Sequence, residues 1–427
     1  MTFFRGVLWN TLTLMNENFF SLLFTFILAR YLSISDFGIY SYIRRIITNI
    51  SVFFNSIGNF SFNYFFQKNK KKREEVFYTI QIFTIFFSVV ILILLIHFTK
   101  HISPSDINNF FPFYIGFGLL LFFTLFQQYS ETLNALFEFK KKFFIKILRS
   151  IIQLILLLIL IVLKKIELKY IFFLLYITLT LMILISHYLV KDEMKKIILS
   201  FALIINTIRL LYKKASYFLL AVFLNLLLNV LIYIFLAKFS NSKAIGIFSY
   251  NLYFTMIFNI AGGGIAKTLL PFTSKRGKNI STNLWISNYA IIYISFIIIS
   301  FLFFVYDFVI KEFFKKEILF WEGKISFLIL AFAFLFKLVS GNFGVVLNGL
   351  GKTEDSFKIS LFTLLAFVTI SIPLTQHLFT LGMSISLLFV YLFQLIIGYI
   401  YLRRNLITHS FYSPYFIVNK ILSKINE

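Results

Sequence analysis

The sequence predicts an all-α polytopic membrane protein, with about 12 transmembrane helices in two six-helix lobes related by a parallel internal repeat. Three observations carry this. The 427 residues are 59% hydrophobic and only 14% charged, whereas a soluble domain is about half apolar and roughly a quarter charged. Apolar runs of about 20 residues, the length that crosses a bilayer as a helix, recur along the whole chain. A sixteen-residue stretch also recurs in similar form, with six of its positions identical, almost half the chain away.

Twelve segments follow in order: 7–32, 38–66, 76–98, 110–137, 143–163, 168–190, 215–237, 246–273, 284–309, 325–350, 356–378 and 380–402. The first, Val7 to Leu32, is too long for the apolar core of a signal peptide, and no A-x-A site follows it. The segments group as an N-terminal lobe, 1–190, and a C-terminal lobe, 215–402, with a tail at 403–427. Between the lobes lies 191–214, where Ile197, Phe201, Ile204, Ile208 and Leu211 recur at helical steps among lysines and an arginine. That pattern predicts a cytoplasmic, interfacial amphipathic linker. With both termini cytoplasmic, inside loops hold roughly twice the Lys and Arg of outside loops, the bias that orients multi-pass membrane proteins. The net charge of +24 is thereby assigned to loops facing anionic lipid, and no nucleic-acid partner is expected.

Several functions are excluded. Cysteine is absent and the five histidines are scattered, so neither a thiolate site nor a metal centre is expected. No GxxxxGK[ST] loop occurs, and neither ATP nor another cofactor is expected. No loop is long enough to fold alone, and the longest outer one is 310–324. The chain is therefore not expected to be an enzyme.

The repeat is explicit. "ILARYLSISDFGIYSY" at 27–42 aligns with "FLAKFSNSKAIGIFSY" at 235–250, keeping Leu28/Leu236, Ala29/Ala237, Gly38/Gly246, Ile39/Ile247, Ser41/Ser249 and Tyr42/Tyr250. "LNALFEFKKKF" at 133–143 matches "LNGLGKTEDSF" at 347–357 in the same way, through Leu133/Leu347, Asn134/Asn348, Leu136/Leu350 and Phe143/Phe357. Both matches fall at equivalent spans, and six spans per half give the halves one orientation.

The first of these stretches, with a basic residue after "LA" and a short loop into "FG-x-Y", resembles the span-one to span-two signature of polysaccharide flippases. These are the Wzx-type O-antigen flippases of the multidrug/oligosaccharidyl-lipid/polysaccharide exporter superfamily. The chain's size and twelve spans are similar to that family throughout, while the peptidoglycan lipid flippases typically have two helices more. The resemblance implies movement of an undecaprenyl-diphosphate-linked oligosaccharide, an O-antigen or capsule repeat unit, from the inner to the outer leaflet. Partners implied are that glycan lipid, membrane lipid, H⁺ or Na⁺ as a coupling ion, and other polysaccharide assembly proteins. A multidrug antiporter of the same superfamily and a membrane polymerase or ligase of lipid-linked glycans are the competing readings.

Polar and ionisable groups at membrane depth mark the candidate site. Ser41, Arg45, Thr48, Asn55, Asn59 and Asn63 form a stripe along span two, with Arg44 beside it. Asn259 and Lys267 lie on span eight, Lys337 near the middle of span ten, and Arg30 near the end of span one. Arg and Lys suit phosphate oxygens and the amides suit sugar hydroxyls. These residues are assigned to a cationic cavity between two rocking lobes. Lys146, Arg149 and Lys358 are close enough to an inside boundary to snorkel. Glu17, on a polar face of span one, has two readings: an ion pair with a span-two arginine, or a carboxylate that takes up H⁺ or Na⁺. Glu131, in a row with Gln127, Asn134 and Glu138 on span four, is a second candidate for ion coupling.

Overall fold

A computed structural model describes residues 3–68, 73–104, 106–107, 109–136, 138–191, 201–255, 280–314 and 321–405. The elements are α1 (Phe3–Tyr31), α2 (Ile34–Lys68), α3 (Arg73–His97), α4 (Thr99–Ile102), α5 (Phe111–Ala135), α6 (Phe139–Val162), α7 (Leu168–Val190), α8 (Phe201–Phe239), α9 (242–255), α10 (Ile280–Phe308), α11 (Trp321–Gly349) and α12 (Thr353–Asn405). A π-helical turn, Val309–Phe314, extends α10. No strand occurs among the described residues.

Nine of the described helices are long and apolar enough to cross a membrane. The difference from twelve has three sources. Expected spans eleven and twelve are one element, α12, which breaks at Phe379, where φ is 48° and ψ −119°. Span two, α2, is helical over 35 residues but carries the polar stripe, which takes it below the hydropathy of a lipid-facing span. Span eight lies largely outside the described residues. Elsewhere the apolar helices show lipid-facing surfaces. On α10, Ile297, Phe301, Phe304 and Phe308 recur at three- and four-residue steps and are all exposed. Lipid tails are as apolar as these side chains, so such a face needs no protein partner.

The linker expected at 191–214 takes a specific form. Residues 201–214 run without a break into span seven, giving the single 39-residue helix α8. Nothing between Phe201 and Phe239 is a glycine or a proline, so no residue there interrupts the backbone hydrogen bonding.

By compactness the chain divides into Met1–Ser249 and Tyr250–Glu427. In the first unit α2 packs against α5, α8 and α3, while α1 packs on α6. The two repeated turns also meet within this unit. Asp36 N donates to Ser33 Oγ at 3.0 Å, and Ala244 N donates to Asn241 Oδ1 at 2.9 Å. Ser33 and Asn241 are repeat equivalents, and each caps the helix that follows it. Five residues on, Gly38 and Gly246 bring α2 and α9 together. A Cβ at Gly38 would run into the Ser242 carbonyl oxygen, and one at Gly246 into that of Ile34. Ile34 and Ser242 are themselves equivalents, so the contact is reciprocal. Asp106, in the loop before α5, ties down the same junction by accepting from Ser242 N at 3.0 Å. In the same unit Tyr40, Tyr42 and Tyr233 are fully buried.

In the second unit α11 packs on α10 and α12. Asn251 Nδ2 donates to Gly323 O at 2.9 Å and its Oδ1 accepts from Tyr306 Oη at 2.9 Å. Asn342 Nδ2 donates to Asn288 Oδ1 at 2.7 Å, pinning α11 to α10.

Candidate functional site

The strongest concentration of charge lies among α1, α2, α5 and α6. On α1, Glu17, Ser21 and Thr25 recur every four residues and share one face. On α6, Lys142, Lys146 and Arg149 recur at steps of four and three and share another. Lys146 Nζ lies 2.8 Å from Glu17 Oε1, and an Arg149 Nη lies 3.6 Å from the same oxygen. Lys146 is further held by Gln127 Oε1 at 3.0 Å. Both cations lie over the Phe126 ring, at 5.0 and 5.1 Å from its centroid.

One turn along α6, Lys142 Nζ meets Glu131 Oε1 at 3.3 Å and Asn134 Oδ1 at 3.2 Å. In the other direction, Arg44 of α2 donates to Tyr40 Oη at 2.7 Å, Ser21 Oγ at 3.1 Å and Thr25 Oγ1 at 3.2 Å. Four cations thus gather around two carboxylates in a largely buried setting, which leaves a net positive interior suited to an anion. Arg45 is half-buried on α2.

Several expectations change. Glu17 is paired, but its partners come from α6 rather than from span two. Lys146 does not snorkel: its side chain is 3% exposed and bonded inward. Arg149, at 13%, is likewise turned inward. Glu131 is engaged by Lys142. The sequence carried a signal for the contacts of Lys142 and Lys146 with Glu131 and Gln127, though none for those with Glu17. The acid-and-amide row on span four and the basic row on span five share a helical period, and a short turn makes the two helices antiparallel neighbours.

The remaining candidates lie apart. Arg30 is exposed near the end of α1. Asn55 is half-buried on α2, and its Oδ1 has no donor among the described residues. The side chain of Asn59, and all of Asn259 and Lys267, fall outside the described residues. Lys337, in the second unit, lies over the rings of Phe334 and Tyr391, at 5.1 and 4.9 Å. Among the described residues no group of His, Cys, Asp and Glu could hold a metal ion.

The fold is shared over almost its full length with solved membrane proteins. The lipid II flippase MurJ, in an inward closed conformation, superposes with a TM-score of 0.73 at 13% identity, covering 98% of this chain and 96% of that one. The MATE multidrug transporter DinF-BH gives 0.68 at 13% identity, covering 94% of each chain. A MOP superfamily transporter from Pyrococcus furiosus, described as having a binding pocket of reverse polarity, gives 0.66 at 14% identity, again over 94% of each. The class is therefore a multi-pass, all-helical membrane protein with the MOP superfamily fold. The chain belongs to the family described as polysaccharide biosynthesis protein, whose model matches residues 27–282. No curated protein matches it in sequence.

Proposed function

We propose that the protein is a flippase that carries an undecaprenyl-diphosphate-linked oligosaccharide across the bacterial inner membrane by alternating access, with both termini cytoplasmic. The observation that carries this reading is the largely buried, net cationic cluster of Arg44, Lys142, Lys146 and Arg149 in a chain of the polysaccharide biosynthesis family. A diphosphate crossing about 30 Å of hydrocarbon needs counter-charge at depth, and Arg and Lys provide it with directed hydrogen bonds. The likeness to a lipid II flippase supports a lipid-linked cargo. A cationic drug would favour the opposite sign of interior charge. Arg30, Arg45, Asn55, Asn59, Asn259, Lys267 and Lys337 are further proposed contacts for phosphate and sugar.

Deleting the gene and locating the lipid-linked glycan tests this. Single repeat units trapped on the cytoplasmic leaflet, with surface polysaccharide lost, are the expected result. Units stranded on the outer leaflet would point to a polymerase or ligase. Unchanged glycan with new sensitivity to cationic dyes would point to a drug antiporter.

A further inference from the structure

We infer that Glu17 is an exchangeable stand-in for the diphosphate of the cargo. Between cargoes its carboxylate neutralises Lys146 and Arg149, and an arriving diphosphate displaces it and is received by those two cations. The inference rests on the flippase reading for its ligand, but its geometry stands on the cluster itself.

Three features of the cluster support exchange over a permanent pair. First, both cations converge on a single oxygen, Glu17 Oε1, and the 3.6 Å approach of Arg149 is beyond hydrogen-bond reach. Arg149 Nε is buried with no acceptor among the described residues. A guanidinium offers five donors, and one shared carboxylate oxygen leaves most of that capacity unused. A diphosphate supplies more oxygens and more charge. Second, the cations are positioned by groups other than Glu17. Gln127 and the Phe126 ring hold Lys146, and the same ring lies against Arg149. Removing the carboxylate therefore leaves the receiving side chains in place. Third, Glu17 is the most accessible of the three, at 24% exposed against 3% for Lys146 and 13% for Arg149. It is the member with room to turn away. The step is an exchange of ion pairs in which no covalent bond forms or breaks.

The test is the binding of farnesyl diphosphate, with farnesol as control, to the full chain in lipid nanodiscs. Glu17→Gln removes the competing anion, and we expect it to bind farnesyl diphosphate about tenfold more tightly than the native protein. Arg149→Gln should bind about tenfold more weakly. Farnesol should not distinguish the variants. If Glu17→Gln is too unstable to purify, Glu17→Asp carries the test, because its shorter side chain draws the carboxylate back from both cations. It too should bind the diphosphate more tightly than the native protein.

Unchanged or weaker diphosphate binding by the Glu17 variants would overturn the inference, as would an equal shift with farnesol. The flippase reading is judged separately, by the leaflet on which glycan accumulates. Cytoplasmic accumulation together with no tightening in Glu17→Gln removes the exchange and leaves the flippase. Tightening without accumulation leaves the exchange and removes the flippase.

Discussion

The two halves of the repeat carry different chemistry on equivalent faces. Phe143 and Phe357 correspond, and in that register Lys142, Lys146 and Arg149 of α6 correspond to Ser356, Ser360 and Thr363 of α12. All three of the latter are buried. Ser360 Oγ donates to Ser356 O at 3.1 Å and Thr363 Oγ1 to Ile359 O at 2.7 Å. A hydroxyl can be satisfied within its own helix in this way, whereas a buried cation must reach another helix for an acceptor. Glu17, which supplies that acceptor in the first half, corresponds to Asn225 in the second. The two halves share the repeated turns, and at these equivalent positions only the first half holds charge.

The largest effect should come from placing charge where the second half has none. Ser360→Lys would bury an ammonium on a face built for hydroxyls, at a cost of about 3–5 kcal/mol. Thermal unfolding in detergent should show a clear drop, and an unchanged midpoint would mean that this face has access to water or an acid. The converse, Lys146→Ser, should also cost about 3–5 kcal/mol by depriving Glu17 of its closest partner. Adding Glu17→Asn, which makes the site resemble the second half, should recover part of that loss. Simple additivity of the two changes would contradict the pairing.

A smaller and symmetric effect is expected at the crossing of the repeated turns. Gly38→Ala and Gly246→Ala should each destabilise by about 1–3 kcal/mol through overpacking, and to similar extents. A large disparity between their unfolding midpoints would show that the contact is less reciprocal than its geometry. Smallest of the set, Asp106→Ala should lower stability by about 1 kcal/mol, the scale of a lost helix cap.

Much of the scaffold was legible in the sequence because lipid imposes length and apolarity on each span. The break between the last two spans fell at residue 379, where the backbone leaves helical geometry. Gly38 and Gly246 stood out because a glycine in register across a loop is hard to obtain from apolar composition alone. Lys146 and Arg149 were misread because distance from the membrane boundary describes only how far a side chain can reach. It does not describe what the neighbouring helix offers, and Glu17 and Gln127 offer more than water does. The continuous α8 was missed for a related reason: an amphipathic pattern signals a face, not an end, and nothing at 213–216 stops the helix.

The glycine crossing couples two distant codons. Gly38 meets Ser242 and Gly246 meets Ile34, so each copy of the turn presents to the other the surface that it receives. That is the property of an isologous contact, the kind that joins identical subunits about a two-fold axis. In a homodimer a single codon governs both sides of such a contact; here two codons share it, so a bulkier residue at either turn meets the backbone of the other.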